Sequence, residues 1–358
     1  MEVRNLGESG LKVPVLTLGT MTFGGEGTFA NVGAAQEDEA RRQIDLCLDA
    51  GANLIDTADM YSSGRAEEII GRAIAGRRDQ VLISTKASFP MGPGTNDAGL
   101  SRKHLVDALD ASLARLGTEY VDIFYLHAWD GSTPVEETLE TLEDLRRAGK
   151  IRYAGCSNFM AWQMMKFLSA AERRGLPRLA TTQIYYSLQE RSVEQEILPA
   201  CVDQGVGALI WSPLAGGLLS GKYRRDANPE SGRHVDEDWS EPPVPDRAEL
   251  YATIEVIISV AEDLDAKPSQ VAIAWLLTRP AVSSVVIGAR TTAQLEENLE
   301  AARLKLPLEA LARLEAVSRP PMQYPRWHQL ATVADRFSEA DASVLGPLLA
   351  DPPPDLAG

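Results

Sequence analysis

The sequence predicts a closed (β/α)8 TIM barrel, and three observations predict it. Short apolar runs alternate with amphipathic helical patterns along most of the chain, eight such strand–helix units can be followed in order, and the joints between them are short. Regular β–α alternation makes a parallel sheet with helices outside, and eight units close it. The rival, a doubly wound nucleotide-binding sheet, needs G-x-G-x-x-G between the first strand and its helix. The Gly-rich piece there, FGGEG at 23–27, lies well before the helix and does not match. A chain of 358 residues could hold two average domains, but barrels use this length as one. The reading is one barrel domain over 1–320 and a C-terminal extension over 321–358, partly disordered or folded over the barrel mouth.

The elements follow in order. VRNLGESGLKV (3–13) reads as a hairpin around a Gly-Glu-Ser-Gly turn. VLTLG (15–19) is the first barrel strand, and helix 38–50 carries Ile44, Cys47 and Leu48 on one face before Gly51 ends it. NLIDTA, a helix near 65–76 and VLISTK (81–86) come next. Helix 101–117 has Ser101 as N-cap and Leu105, Leu109, Leu113 and Leu116 as its buried stripe. After VDIFYLH (121–127), TPVE at 133–136 reads as a capping box, with Thr133 capping, Pro134 at N1 and Glu136 reaching back. Strand 151–157, helix 160–174, strand 180–186, a helix near 192–204 and strand 205–212 continue the series. Helix 268–279, strand 284–288 and helix 292–302 complete it. The connection 213–247, the long loop after strand 7, is rich in Gly, Pro and charge, as functional or mobile loops are. The end, ADPPPDLAG, cannot form a helix and is expected to fray.

Charge and composition exclude some functions. The formal charge is −16 at pH 7, and phosphate backbones and anionic membranes need a basic face. Nucleic acid and membrane partners are therefore not expected, although one local basic pocket could still hold a small anion. Cys47, Cys156 and Cys201 are far apart with no metal spacing, and read as small core residues in a reducing cytoplasm. With four histidines and no Cys cluster, no metal site is expected. The first residues show neither the basic start nor the apolar run of a signal peptide, and the longest apolar stretches fall far below the ~20 residues of a membrane span.

In such a barrel the C-terminal ends of the strands point into one site. Those ends carry Gly19-Thr20-Met21, Asp56 and Tyr61, Lys86, His127, Ser157-Asn158, Gln183, Trp211-Ser212 and Gly288-Arg290. A phenol is a poor acid at neutral pH. A nearby Lys ammonium favours the phenolate, by about 4 kcal/mol at ~4 Å and an effective dielectric near 20 before desolvation costs. Asp56 beside the Lys keeps it charged, and His127 can donate to a carbonyl oxygen. Together Tyr61, Lys86, Asp56 and His127 suit protonation of a developing alkoxide. Asp59, three residues after Asp56, reads as turn or surface.

Several segments in order resemble the aldo-keto reductase superfamily: GLKVPVLTLGTMTFG, NLIDTADMYSSGRAEEIIGRAI, SLARLGTEYVDIFYLH, GKIRYAGCSN, WSPLAGGLLSGKY and VIGARTTAQLEENL. WSPLAGGLLSGK looks more like the microbial reductases related to potassium-channel β subunits than like the mammalian aldose-reductase branch. The resemblance implies NADP(H) bound in extended form across the barrel top, with catalysis by Asp56, Tyr61, Lys86 and His127. Tyr61 would be the general acid. Thr20, Met21 and Asp56 would border the cofactor, with Ser157, Asn158 and Gln183 on the nicotinamide carboxamide and Trp211 stacked on its ring. Ser212, Pro213, Leu214, Gly216 and Lys222 would take the pyrophosphate. Gly288, Arg290, Gln294, Glu297 and Asn298 would take the adenosine end. An Arg290 guanidinium at a helix start suits a 2′-phosphate, which favours NADP(H) and leaves NAD(H) open.

The implied reaction interconverts a carbonyl, aldehyde or ketone, with an alcohol. The substrate would meet Met21, Tyr61, Phe89, His127 and Trp129, and an apolar or aromatic-lined pocket suits an uncharged, bulky molecule. The tail cluster Tyr324, Trp327 and His328 could fold back over the mouth. Two other readings stand beside the enzyme: an NADP(H)-binding, redox-sensing regulatory subunit with incidental turnover, and a barrel with structural duties alone. A homo-oligomer is left open.

Overall fold

A computed structural model describes residues 1–350 except Ala34, Asn228, Glu230, Ser231 and 236–240, and gives backbone alone for 346–350. The frayed end expected at ADPPPDLAG lies almost wholly in 351–358, outside the described residues. An N-terminal hairpin of β1 (Val3–Asn5) and β2 (Lys12–Pro14) precedes the barrel. Eight parallel strands then close on themselves: β3 (Leu16–Gly19), β4 (Leu54–Asp56), β5 (Leu82–Ala87), β6 (Val121–Leu126), β7 (Ile151–Ser157), β8 (Thr181–Tyr185), β9 (Gly207–Trp211) and β10 (Val282–Ile287), with β10 pairing back onto β3. They are the eight strands expected from the alternation, each within two residues of its expected start. Outside them lie α1 (Glu37–Asp49), α2 (Arg65–Ala73), α3 (Arg102–Leu116), α4 (Val135–Arg147), α5 (Ala161–Arg174), α6 (Ile197–Gln204), α7 (Arg247–Asp263), α8 (Pro268–Leu277), α9 (Thr292–Leu299) and α10 (Leu308–Ser318).

The stripes read from the sequence face the barrel. Ile44 and Cys47 of α1 are buried, as are Leu105, Leu109, Leu113 and Leu116 of α3, whose Ser101 Oγ accepts the His104 amide at 3.3 Å. One cap differs. Helix α4 begins at Val135 with Pro134 as its N-cap and no side-chain cap. Thr133 lies one residue too early, because its hydroxyl donates to Oδ2 of Asp130 at 2.6 Å. That carboxylate also accepts the Leu100 and Ser132 amides, so the loop and not the helix claims the threonine.

Helix α7 is not among the eight units. Asp246 caps it by accepting from the Ala248 and Glu249 amides, and Leu250, Ile254, Ile257, Ile258 and Ala261 form its buried face. Helix α10 is a second addition. It is tied to the β8–α6 link by Glu315, which takes Nη2 of Arg191 at 2.7 Å and also Arg279. Beyond it, α11 (Arg326–Val333) and α12 (Glu339–Ala350) lie on the α6 flank: α12 packs against α6, and Arg326 bonds the Gln195 carbonyl. Tyr324 and Trp327 are exposed there, and Trp327 has the Tyr324 and His328 rings as neighbours.

The floor of the barrel is stoppered. Strands β1 and β2 pair antiparallel, and the hairpin sends Leu6 and Val13 into the interior cluster of Leu54, Ile123, Tyr125, Leu209 and Val286. Gly7 lets it seat there. With φ +57°, any Cβ at this position would meet the Gly205 carbonyl oxygen at 2.2 Å. Arg4 clamps the hairpin from outside, donating to the Leu277 and Val282 carbonyls at 2.9 and 2.8 Å. With the floor shut, access to the interior is from the other end. No helix among the described residues is long and apolar enough to cross a membrane.

Candidate active site

Period-two alternation puts Asp56, Lys86, Ser157 and Gln183 inside the barrel, one layer above its apolar cluster. Register fixes their neighbours: Asp56 pairs with Ser84 and Gly19, and Ser157 pairs with Gln183. Asp56 is almost wholly buried and Lys86 wholly so. Lys86 Nζ donates to Oδ2 of Asp56 at 2.6 Å, to the Thr57 carbonyl at 2.7 Å and to the Tyr61 phenol oxygen at 3.4 Å. The other carboxylate oxygen of Asp56 takes Ser84 Oγ at 2.6 Å and Gln183 Nε2 at 2.9 Å. Both oxygens of that carboxylate are thus engaged, the condition under which a buried ion pair is tolerated.

The electrostatics follow from that arrangement. Burial works against the Lys86 ammonium, but Asp56 and Tyr61 outweigh it, and Lys86 is held above its ordinary range. For Tyr61 the balance goes the other way. Burial pushes the phenol up and Asp56 adds to that, while Lys86 pulls down, and burial wins. The expectation of a phenol lowered by its lysine is therefore corrected: the Coulomb attraction omitted desolvation, and the 3.4 Å contact is a long one. Tyr61 is therefore a phenol at neutral pH. His127 is buried, and burial, then the Lys86 charge, hold it well below the usual imidazole range, so its ring is neutral. Its Nδ1 has no hydrogen-bond partner among the described residues. Its ring lies 6.1 Å from that of Tyr61 at 77°, and 4.7 Å from that of Phe89.

Backbone strain collects at the same end. Five of the six non-glycine residues with left-handed φ among the described residues are Ser62, Ser63, Asn158, Ser212 and Ala215, all at or just beyond strand ends of the mouth. Ser62 holds its turn by donating to the Phe23 carbonyl at 2.7 Å and accepting the Gly25 amide at 2.9 Å. Strain of this kind persists where surrounding contacts over-determine it.

The groups expected around a cofactor lie at the strand ends beside this centre. Asn158 donates to the His127 carbonyl at 3.2 Å and accepts Trp211 Nε1 at 3.0 Å, and Ser157 donates to the Gln183 carbonyl at 2.9 Å. Trp211 lies at 5.0 Å from the Tyr185 ring. Thr20 donates to the Asp56 carbonyl, and Met21 is half-buried next to it. Beyond β9, Ser212 Oγ takes the Gly216 amide at 3.0 Å, with Pro213 and Leu214 between them and Lys222 exposed further along. Beyond β10, Gly288 is exposed and the Arg290 amide donates to Gln294 at 3.1 Å. Glu297 is engaged by Ser269 at 2.6 Å, and Asn298 is buried. These last two are less available than their i, i+3, i+4 spacing suggests.

Sequence reasoning missed three residues. Asp59, read as turn or surface, is fully buried under the site. Arg233 and His234, from the long connection, come near the mouth residues. Burial and the nearby Arg290 charge hold Arg233 down at about 10, with Tyr61 among the groups opposing them. A Cβ at Gly216 would lie 2.7 Å from Nε2 of His234. Arg290 and Arg233 are near enough to repel one another, and an anion beside both would favour their charged forms. Position in an irregular loop carries no periodicity, so only the basic pair itself, GRHV, could have flagged them.

Aromatic rings gather beside Tyr61 and at Trp129. Phe29 packs on Tyr61 at 5.5 Å, and Trp129 packs on Phe159 and Trp162 at 5.5 and 5.4 Å. Phe89 and Trp129 are half-buried, while Trp162 is more than half exposed.

Comparison with known proteins agrees with this architecture. The model of the aldo/keto reductase family matches residues 15–319. A probable voltage-gated potassium channel subunit beta from Arabidopsis thaliana is 40% identical, over 84% of this chain and 91% of its own. The uncharacterized oxidoreductase YrpG of Bacillus subtilis is 36% identical over 90% and 97%. The versiconal hemiacetal acetate reductase of Aspergillus parasiticus is 34% identical over 91% and 99%. Identity at this level across most of both chains, with the family match, makes this protein an oxidoreductase of the aldo/keto reductase family.

Proposed function

We propose that the protein interconverts an aldehyde or ketone with its alcohol using NADP(H), with Tyr61 as the group that gives and takes the proton. The observation that carries this is the buried chain Asp56–Lys86–Tyr61, in which an ion pair of 2.6 Å stands 3.4 Å from the phenol oxygen. The side chains at the mouth support that cofactor: the Ser157–Asn158–Gln183 group suits a carboxamide and the Lys222, Arg233 and Arg290 cations suit phosphates, while the unpartnered Nδ1 of His127 is left for the substrate. When bound, NADP(H) supplies the hydride that reduces the carbonyl carbon.

The residues do the rest. Neutral His127 offers an N–H to the carbonyl oxygen and polarises it. Tyr61 gives its proton to that oxygen as negative charge develops there, and the Lys86 ammonium beside it stabilises the phenolate left behind. Asp56 keeps Lys86 in place throughout. Phe29, Phe89 and Trp129 exclude water and favour an uncharged, bulky apolar substrate. In the reverse direction Tyr61 must first lose its proton, so alcohol oxidation should rise with pH.

In a second reading the barrel binds NADP(H) as a sensor and docks on a partner protein, and the plant relative's name as a channel subunit supports its docking half. One experiment separates the two. A panel of aldehydes, ketones and alcohols is assayed with NADPH and NADP+, alongside Tyr61→Phe and a fluorescence titration of NADPH. The enzyme reading expects turnover that falls ~10²–10⁴-fold in Tyr61→Phe while NADPH still binds. Near-normal turnover in that variant refutes the role of Tyr61. NADPH binding with no turnover across the panel favours the sensor.

A further inference from the structure

Asp59 lies in the turn between Asp56 and Tyr61 and is fully buried. Its amide donates to the Lys86 carbonyl at 3.1 Å, which fixes the turn to the strand carrying Lys86. Neither carboxylate oxygen makes a hydrogen bond of good geometry among the described residues, although the Met60 amide is near enough to act on it. The groups facing it come from every element packed there: Lys86 on β5, Glu67 on α2, Arg115 on α3 and Tyr61 on its own turn, with Asp56 of β4 behind Lys86. Both cations are already committed. Lys86 Nζ serves Asp56 and Thr57, and Arg115 serves Glu67 at 2.7 Å and Ser112 at 3.2 Å. Glu67 is itself fully buried and also accepts Thr85 Oγ1 at 2.5 Å.

A carboxylate in this position would be a second negative charge beside Glu67, with both neighbouring cations already engaged. We propose that Asp59 is a positioning residue held protonated beneath Tyr61 and Lys86, and that losing its proton sets negative charge against the Tyr61 phenolate. Burial, then Glu67, push the Asp59 carboxyl up to about 8, so the change falls just above neutrality. An ionised Asp59 holds the phenol proton more tightly, and alcohol oxidation, which needs the phenolate, is restrained from that pH upward. The inference rests on the proton-transfer role proposed for Tyr61.

The stability sign follows from the same shift. The unfolded carboxyl ionises near 3.8 and the folded one at about 8, so between these values the unfolded chain binds fewer protons. Wild-type stability therefore falls as pH rises through that window and levels off above it. Asp59→Asn is nearly isosteric and cannot ionise. Its melting temperature relative to wild type should climb from pH 4 to pH 8 and then stay constant. The ratio of its alcohol-oxidation kcat/KM to wild type should be flat below neutrality and rise severalfold across pH 8. A melting difference independent of pH overturns the protonated carboxyl. A kinetic ratio independent of pH overturns the action on Tyr61, since a merely structural role scales both limbs alike. Glu67→Gln with Asp59 retained is the second variant, and it should move the kinetic step to lower pH. If wild type turns over no alcohol, the enzyme reading fails separately. Ultraviolet titration of wild type and of Asp59→Asn, each against the same protein carrying Tyr61→Phe, then reads the phenol directly. Tyr61 ionising at the same pH in both overturns the coupling.

Discussion

The two ends of this barrel are stabilised in opposite ways. At the floor, Leu6 and Val13 press on Leu54, Ile123 and Leu209, an apolar contact that removes hydrocarbon from water. At the mouth, Asp56, Lys86 and His127 are taken out of water themselves, beside five non-glycine residues with left-handed φ. Burying charge is costly, and the mouth keeps its ion pair because each member is engaged by the other and by Ser84, Gln183 and the Thr57 carbonyl. The lesson is a division of labour: the floor holds the fold together, and the mouth holds groups that a fold would be easier to build without.

Three substitutions test that division. The largest effect is expected from Lys86→Met. It leaves the Asp56 carboxylate buried without its cation, a loss of about 3–5 kcal/mol in unfolding free energy on top of collapsed turnover. Denaturant unfolding that matches wild type would show that the pair does not carry its environment. Next is Leu6→Ala at the floor, expected to cost about 2–5 kcal/mol of stability through the cavity it leaves. Because it sits at the opposite end, its kcat and its affinity for NADPH at moderate temperature should stay those of wild type. A fall in kcat without a fall in stability would break the comparison. The smallest is Arg290→Ala, expected to weaken NADPH by about 1.5–3 kcal/mol, on the order of 10–100-fold, and to leave NADH unchanged. Equal losses for both cofactors in fluorescence titrations would sink the 2′-phosphate contact.

What the sequence disclosed follows the same line. The strands and the helices that face them are periodic, because one side must meet the barrel, and so β3 to β10 were legible. Asp56, Lys86, His127 and Gln183 were legible for the same reason, as polar residues at strand ends where apolar ones would suffice. Helix α7 was not, although Asp246 and the spacing of Leu250, Ile254, Ile257, Ile258 and Ala261 signal it, because it follows a Pro- and Gly-rich run and sits outside the strand–helix rhythm. Asp59 was unreadable in principle. Its burial comes from α2 and α3 folding over the turn, and nothing local distinguishes it from a solvated turn residue. The direction of the Tyr61 shift was missed because attraction between two groups can be guessed from their types, whereas desolvation depends on everything around them.

The clamp at the floor bears on how the chain folds. Arg4 reaches carbonyls 273 and 278 residues further along, so its partners are not synthesised until most of the chain is made. The first residues to leave the ribosome are thus among the last to find their places, and until they do, the apolar interior is open at one end. Contacts of such long range slow folding and lengthen exposure to aggregation. A protein of this topology should depend on chaperones, or on the speed of its own closure, more than its final stability would suggest.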